Sequence, residues 1–136
     1  MFESLTEYIP QLNNSQHGEW IFDTENDGTM EHPFHMPYVD YDEIVMKFVE
    51  DIYAFVDEHP EFELTSYSKI LEENGIEWGS KSMAAADVSN LDGKSVMALL
   101  VGIVRADRFC EGTLLKFLKS DKIIEWLRRL KEIDNK

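Results

Sequence analysis

Cysteine and long apolar runs are scarce in this sequence. Cys110 is the only cysteine among 136 residues, which excludes an internal disulfide and favours a reducing compartment. The longest uncharged apolar run, Val96–Val104, falls well short of the roughly 20 residues that a membrane span requires. Residues 1–10 show no basic segment followed by an apolar one, as a secretory leader would. These absences predict a cytoplasmic protein with no membrane segment.

Basic residues are rare in the first half of the chain. Residues 1–63 hold 16 acidic residues and one basic residue, Lys47, whereas residues 64–136 hold 11 acidic and 12 basic residues. The formal net charge is -14. An acidic surface repels nucleic acid phosphates and anionic membranes, so binding to either is disfavoured. Two interpretations of the acidic half stay open: it gives solubility alone, or it recognises a basic partner.

The sequence motifs of common enzymes are also missing. The chain has no phosphate-binding loop, no nucleophile elbow, no dinucleotide-binding glycine motif and no paired histidine and cysteine residues at metal-binding spacing. No cofactor is therefore predicted, and the sequence leaves enzymatic activity undecided.

The segment Ser95–Arg108 is the apolar centre of the sequence. At helical spacing its apolar residues cover both sides of a helix, which indicates that neighbouring elements enclose it. Asp92 is placed to cap its N-terminus, and Gly102 in its middle predicts a close approach by another helix. We expect a mainly α fold, a compact single-domain bundle over residues 1–136, with about five or six helices around this central one.

Two short segments near the N-terminus are predicted to be strands. Glu19–Phe22 and Phe34–Val39 flank an acidic loop and predict a small β-hairpin. The following helix has a regular apolar stripe and ends before Pro60, and Asp40 with Glu43 is typical of a capping box at its start. A two-stranded ribbon is barely stable alone, so the hairpin has to pack against the helices.

The chain resembles a bacterial family of unknown function in one motif and in several aromatic positions. The motif, RADRFCEG at residues 105–112, closes the apolar helix and is followed by LLKFL and IIEWLRRLKEI. The first half fits through GEW at residues 18–20, PY at residues 37–38 and Tyr41. The chain is similar in these features to the domain of unknown function 6508, over most of its length. The resemblance implies a single-domain intracellular protein and assigns no activity to any residue.

The corner after the apolar helix carries a compact group of charges. Arg105 and Arg108 lie one helical turn apart, and Glu111 lies one turn beyond Arg108. Two guanidinium groups at such a corner are suited to binding a phosphate or carboxylate in forked geometry. Alternatively, they pair with acids of the first half and with carbonyl groups at the helix end, which is the interpretation we favour. For Cys110, an inert role is favoured over a reactive thiolate.

His32 and His35 are weak candidates for a metal site. Imidazole and the nearby carboxylates suit zinc or a similar ion. Pro33 between the two histidines disfavours a helix, so both ligands would have to converge from a loop. Incidental loop histidines are the favoured interpretation, and no metal is predicted.

Three hypotheses on function remain. The first is a non-enzymatic cytoplasmic interaction module, in which the acidic half and the aromatic loop from Trp20 to Tyr38 face a basic protein partner. The second is a small-molecule or metal-binding domain, catalytic or not, that uses the corner of Arg105 and Arg108. The third is nucleic acid binding by the two C-terminal helices, which the acids among their basic residues disfavour. The sequence does not indicate an oligomeric state.

Overall fold

A computed structural model describes residues 1–22, 29–31 and 37–135 of the chain. The predicted mainly α bundle with a small N-terminal hairpin is confirmed. The α-helices are α1 (Glu3–Thr6), α2 (Ile9–Asn13), α3 (Glu43–Glu58), α4 (Tyr67–Glu73), α5 (Ser80–Ala84), α6 (Gly93–Phe109), α7 (Thr113–Lys119) and α8 (Lys122–Asp134). The strands are β1 (Gly18–Ile21) and β2 (Tyr38–Tyr41), and short 3-10 helices cover Pro60–Phe62, Leu64–Ser66 and Val88–Asn90.

Helix α6 forms the centre of the core, as predicted. Every residue from Ser95 to Val104 is buried, and helices α3, α4, α7 and α8 all contact α6. The predicted N-cap is also confirmed, because the Asp92 carboxylate accepts a hydrogen bond from the Ser95 N–H at 2.9 Å. Arg105 is the first partly exposed residue after the buried run, so the charged side chains that follow the run lie at the C-terminal end of α6. Within the described ranges, no helix combines the length and apolarity needed to cross a membrane.

The close approach predicted at Gly102 is made by side chains rather than by a second helix backbone. A Cβ atom at Gly102 would lie 2.9 Å from Met83 Cε and 3.4 Å from Trp78 Cδ1. The indole N–H of Trp78 donates to the Gly102 carbonyl at 3.0 Å. Tyr67 and Phe109 pack edge-on against Trp78, with ring centroids 5.7 and 6.2 Å away. The glycine therefore admits an aromatic side chain to the surface of the central helix.

Helix α3 begins after Asp42, so the capping box predicted from Asp40 and Glu43 is wrong. Asp40 lies in β2, where it pairs with β1. The N-cap residue Asp42 makes no side-chain bond to the helix, and its carboxylate accepts a hydrogen bond from the Ser15 hydroxyl at 2.7 Å. Because Asp40 and Tyr41 pair with β1, both stay in an extended conformation, although the local sequence pattern would place them at the start of the helix. The predicted apolar stripe of α3 is buried at Val45, Phe48, Ile52 and Phe55.

The hairpin is antiparallel, and its register assigns each side chain to one of two faces. Gly18 pairs with Tyr41, and Ile21 pairs with Tyr38. The second strand, predicted over Phe34–Val39, covers Tyr38–Tyr41, and residues 32–36 of the prediction lie outside the described part of the chain. Because side chains alternate along a strand, the inner face and the outer face hold different sets. The inner face holds Gly18, Trp20, Val39 and Tyr41, and the outer face holds Glu19, Ile21, Tyr38 and Asp40.

Replacing Asp92 tests its assignment as the N-cap of the central helix. We expect Asp92→Ala to lower the free energy of unfolding by about 1 kcal/mol at neutral pH. The hydrogen bond from Ser95 holds the pKa of Asp92 below its usual range. The stabilisation is therefore complete above the unfolded-state pKa and is lost as the pH falls through the folded-state pKa. Urea unfolding measures the loss, and equal stability of Asp92→Ala and the wild type at pH 7 would contradict the assignment.

Candidate functional site

The corner between α6 and α7 is organised by Asp107. Its Oδ1 atom accepts three hydrogen bonds: from the Gly112 N–H at 3.1 Å, from the Leu114 N–H at 3.0 Å and from the Tyr41 hydroxyl at 2.9 Å. The first two donors are backbone N–H groups at the N-terminus of α7 that have no acceptor within the helix, and this end of a helix carries a partial positive charge. Asp107 thus caps α7 from the preceding helix and ties β2 to the same point.

Tyr41 completes this cap. While its hydroxyl donates to Asp107, its oxygen accepts the Leu115 N–H at 3.2 Å. Burial and the adjacent Asp107 carboxylate raise the pKa of Tyr41 well above its ordinary value, so the hydroxyl stays protonated and remains a donor. Sequence reasoning missed this role of Tyr41, because the two hydrogen-bonded residues are far apart in the chain and no local pattern joins them.

Glu111 and Gly112 fix the hairpin to the same corner. The Glu111 carboxylate accepts a hydrogen bond from the Val39 N–H at 2.9 Å. Gly112 has a left-handed φ of 90°, and a Cβ atom there would lie 2.3 Å from Cζ2 of Trp20. Trp20 therefore lies directly against the glycine, and Glu111, a predicted binding candidate, serves to hold β2. The conformation of the RADRFCEG motif is explained largely by hairpin docking and helix capping.

The two arginines of the motif pack against one tyrosine of α3. The guanidinium carbons of Arg105 and Arg108 lie 5.6 and 5.7 Å from the centroid of the Tyr53 ring, within cation–π range. Among the described residues, neither guanidinium lies within 4.0 Å of a carboxylate oxygen. Two neighbouring buried polar atoms, Arg105 Nε and the Tyr53 hydroxyl, also lack a hydrogen-bond partner in that part of the chain. Tyr53 is therefore the contact that the structure gives for both guanidinium groups.

A surface cleft of about 310 Å³ opens between α3 and α6 beside these arginines. Val45, Val104 and Leu114 give it an apolar floor, and its charged lining residues are Arg108, Glu50 and Asp107. Tyr53 also lines the cleft, so its ring is shared between the arginine pair and the cavity. The volume lies at the lower end of the range of about 300–1,000 Å³ that is usual for small-molecule sites.

The outer face of the hairpin brings two like charges together. Glu19 and Asp40 are cross-strand partners, and both are exposed. Like charges directly opposite each other destabilise a sheet, and within the described ranges neither carboxylate has an ion-pair partner. Tyr38 lies on the same face and is 51% exposed. On the other side of β1, Trp20 stacks on Phe22 at 6.2 Å and both rings are partly exposed.

The remaining candidates are Cys110 and the two histidines of the predicted loop. Cys110 is exposed, and its carbonyl accepts hydrogen bonds at the start of α7. His32 and His35 lie outside the described residues. In the ranges that are described, no group of three or more histidine, cysteine, aspartate and glutamate side chains is arranged to hold a metal.

The C-terminal helices combine basic and acidic side chains, as expected. Lys122 pairs with Glu125 at 3.5 Å, and Arg129 pairs with Glu132 at 3.3 Å. Trp126 is fully buried, so it packs in the core and is not available for stacking on a base.

Comparison with known proteins gives one match. The profile of a family described as a family of unknown function (DUF6508) matches residues 1–136. Neither the curated proteins nor the solved structures contain a significant match.

Proposed function

The chain belongs to the DUF6508 family, and we propose that it is a non-enzymatic interaction module that binds a basic polypeptide segment on its hairpin. The binding region, here called the hairpin surface, consists of the exposed side chains of Glu19, Tyr38 and Asp40 on the outer face and those of Trp20 and Phe22 on the other side of β1. The observation that carries the proposal is the pair of facing carboxylates of Glu19 and Asp40, which have no ion-pair partner among the described residues, beside an exposed tyrosine.

The negative charge of the hairpin surface favours a positively charged partner. The half of the chain that contains the hairpin has 16 acidic residues against one basic residue, so it attracts cations over a long range. A lysine or arginine side chain between Glu19 and Asp40 would remove their mutual repulsion and gain two charged contacts. Tyr38 offers the ring face on which such a cation also packs favourably. A basic segment is therefore the partner that this surface fits.

Exposed aromatic side chains add apolar area to the charge attraction. Trp20, Phe22 and Tyr38 are 41%, 63% and 51% exposed. Tryptophan and tyrosine often dominate the affinity of protein interfaces, because they bury a large area with few rotatable bonds. The hairpin carrying them is held to the helical bundle by Glu111, Asp107 and the contact of Trp20 with Gly112. This attachment keeps the aromatic side chains in position before a partner arrives, which lowers the entropic cost of binding.

Neutralising the facing acids tests the proposal. We expect Glu19→Gln with Asp40→Asn to weaken binding of a labelled decapeptide of alternating lysine and phenylalanine at least about fivefold at low salt, since the two charged contacts are lost. Fluorescence anisotropy measures the affinity, and added salt should weaken the wild type more than the double variant. Tyr38→Ser should also weaken binding, although it leaves every charge in place.

Matched controls separate a local site from the general acidity of the protein. Asp57→Asn with Glu58→Gln removes the same charge from two exposed positions at the end of α3 and should leave the affinity nearly unchanged. Asp42 and Asp51 are unsuitable for this purpose, because their carboxylates accept hydrogen bonds from Ser15 and Tyr8. An equal loss of affinity in the two double variants would overturn the proposal, as would binding of the corresponding glutamate peptide.

We also propose a cytoplasmic location. Cys110 is exposed and is the only cysteine, so the free thiol would be prone to intermolecular oxidation outside a reducing compartment. A reducing cytoplasm keeps it as a thiol.

A further inference from the structure

The cleft between α3 and α6 has the composition of a small-molecule site. Its floor is formed by side chains with almost no solvent exposure: Val45 is 0%, Val104 is 6% and Leu114 is 3% exposed. Met46 at the edge is 57% exposed, which leaves a flexible apolar side chain beside the opening. A cleft with this lining favours a ligand that has an apolar body.

The charged end of the cleft favours a negative group. Arg108 lines the cleft, and Arg105 lies over the same Tyr53 ring. Surface arginines in a protein with a net charge of -14 usually have acidic neighbours, yet no described carboxylate is within ion-pair distance of these two. Asp107 also lines the cleft, and its Oδ1 atom already accepts three hydrogen bonds. With no ionic partner in the described ranges, the Arg108 guanidinium is suited to receiving an anion in forked geometry.

From these contacts we infer that the cleft binds a small organic carboxylate, with its aromatic or short aliphatic body on the apolar floor and its carboxylate on Arg108. Glu50 limits the charge of the ligand. Its carboxylate and that of Asp107 both line the cleft, so both repel a second negative charge that does not contact Arg108. A monoanion with an apolar body therefore fits better than inorganic phosphate. This inference does not depend on the proposed function of the hairpin surface.

The buried polar atoms beside the cleft indicate that the arginine pair is incompletely satisfied. Arg105 Nε and the Tyr53 hydroxyl are buried without a hydrogen-bond partner among the described residues, although buried polar groups are nearly always paired. Tyr53 and Arg108 both line the cleft, whereas Arg105 does not, so an anion on Arg108 would bring acceptor oxygens toward the Tyr53 hydroxyl. Tyr53→Phe keeps the ring and removes the hydroxyl, so it separates stacking from hydrogen bonding.

Calorimetric titration with benzoate and octanoate tests the inference. We expect both carboxylates to bind, benzamide and octanamide to bind much more weakly because they carry no charge, and inorganic phosphate to give no measurable heat. Arg108→Gln should weaken carboxylate binding about tenfold, since the charged, forked contact is lost. Glu50→Gln should strengthen it, because the repelling carboxylate is gone. The affinity of the Arg108→Lys variant for the carboxylates should fall between those of the Arg108→Gln variant and the wild type.

The control variant is Arg128→Gln, which removes one exposed arginine from α8 and should leave the affinity unchanged. Thermal melting of each variant checks that its fold is retained, and Arg108 is exposed enough for its replacement to be tolerated. Three outcomes would overturn the inference: equal binding of benzoate and benzamide, phosphate binding as tight as that of benzoate, or an Arg108→Gln variant with the affinity of the wild type.

Discussion

Asp107→Ala is expected to lower the free energy of unfolding by about 3 kcal/mol, because three donors lose their acceptor in one substitution. The donors are the N–H groups of Gly112 and Leu114 and the hydroxyl of Tyr41. All three bonds are partly buried, so water replaces the carboxylate only in part. Denaturant unfolding followed by circular dichroism measures the loss, and the start of α7 should also show faster amide exchange.

Asp107→Asn is the matched variant for this prediction. Its amide oxygen still accepts hydrogen bonds, whereas the negative charge at the N-terminus of α7 is removed, so we expect a loss of only about 1 kcal/mol. If the alanine variant is as stable as the asparagine variant, the corner is not held by Asp107 in the way its contacts indicate.

Gly112→Ala is expected to release the hairpin from the corner. The residue adopts a φ of 90°, which costs an alanine about 1–2 kcal/mol. The added Cβ atom would also lie 2.3 Å from the indole of Trp20, so the indole has to move away from α7. Together these effects should destabilise the protein by about 2–3 kcal/mol. Denaturant unfolding gives the size of the effect, and a red shift of tryptophan emission would report the displacement of Trp20.

A double-mutant cycle separates the two causes. In a Trp20→Ala background the clash no longer exists, and Gly112→Ala should then cost only the backbone term of about 1–2 kcal/mol. Equal effects of Gly112→Ala in both backgrounds would show that Trp20 does not pack against Gly112. The cycle therefore tests the contact itself rather than the tolerance of the turn.

The central helix was predictable because local sequence determines it. A run such as Val96–Val104, apolar at every helical position, has no stable arrangement other than full enclosure. Its cap at Asp92 follows from the same short stretch of sequence. The end of α4 at Gly75 is also determined by local sequence. Gly75 has a φ of 74°, and the Ile76 N–H donates a hydrogen bond to the Leu71 carbonyl, which together form a Schellman turn.

The corner could not be predicted because its bonds join distant parts of the chain. Asp107, Tyr41 and Glu111 each have a partner that the sequence places far away, and no periodic pattern marks such pairs. The incorrect capping box at Asp40 has the same origin, since pairing with Glu19 draws that residue into a strand. Local capping signals are weak compared with several backbone hydrogen bonds.

The candidate site was predicted in part. Arg105 and Arg108 were identified from their position at the end of an apolar helix, and Trp20 and Tyr38 from an aromatic-rich loop. Their surroundings required the structure. Tyr53 contacts both guanidinium groups. It lies on the side of α3 that packs against neighbouring elements, as one side of any amphipathic helix does. Nothing in the sequence distinguishes such a tyrosine from a core residue.

Backbone amide NMR of the full chain, titrated with the lysine and phenylalanine decapeptide, tests the central proposal most directly. The proposal predicts that the largest shift changes fall on Glu19, Trp20, Tyr38 and Asp40, that they saturate together, and that α8 is unaffected. Shift changes centred on α8, or spread evenly over all acidic residues with no maximum at the hairpin, would contradict it.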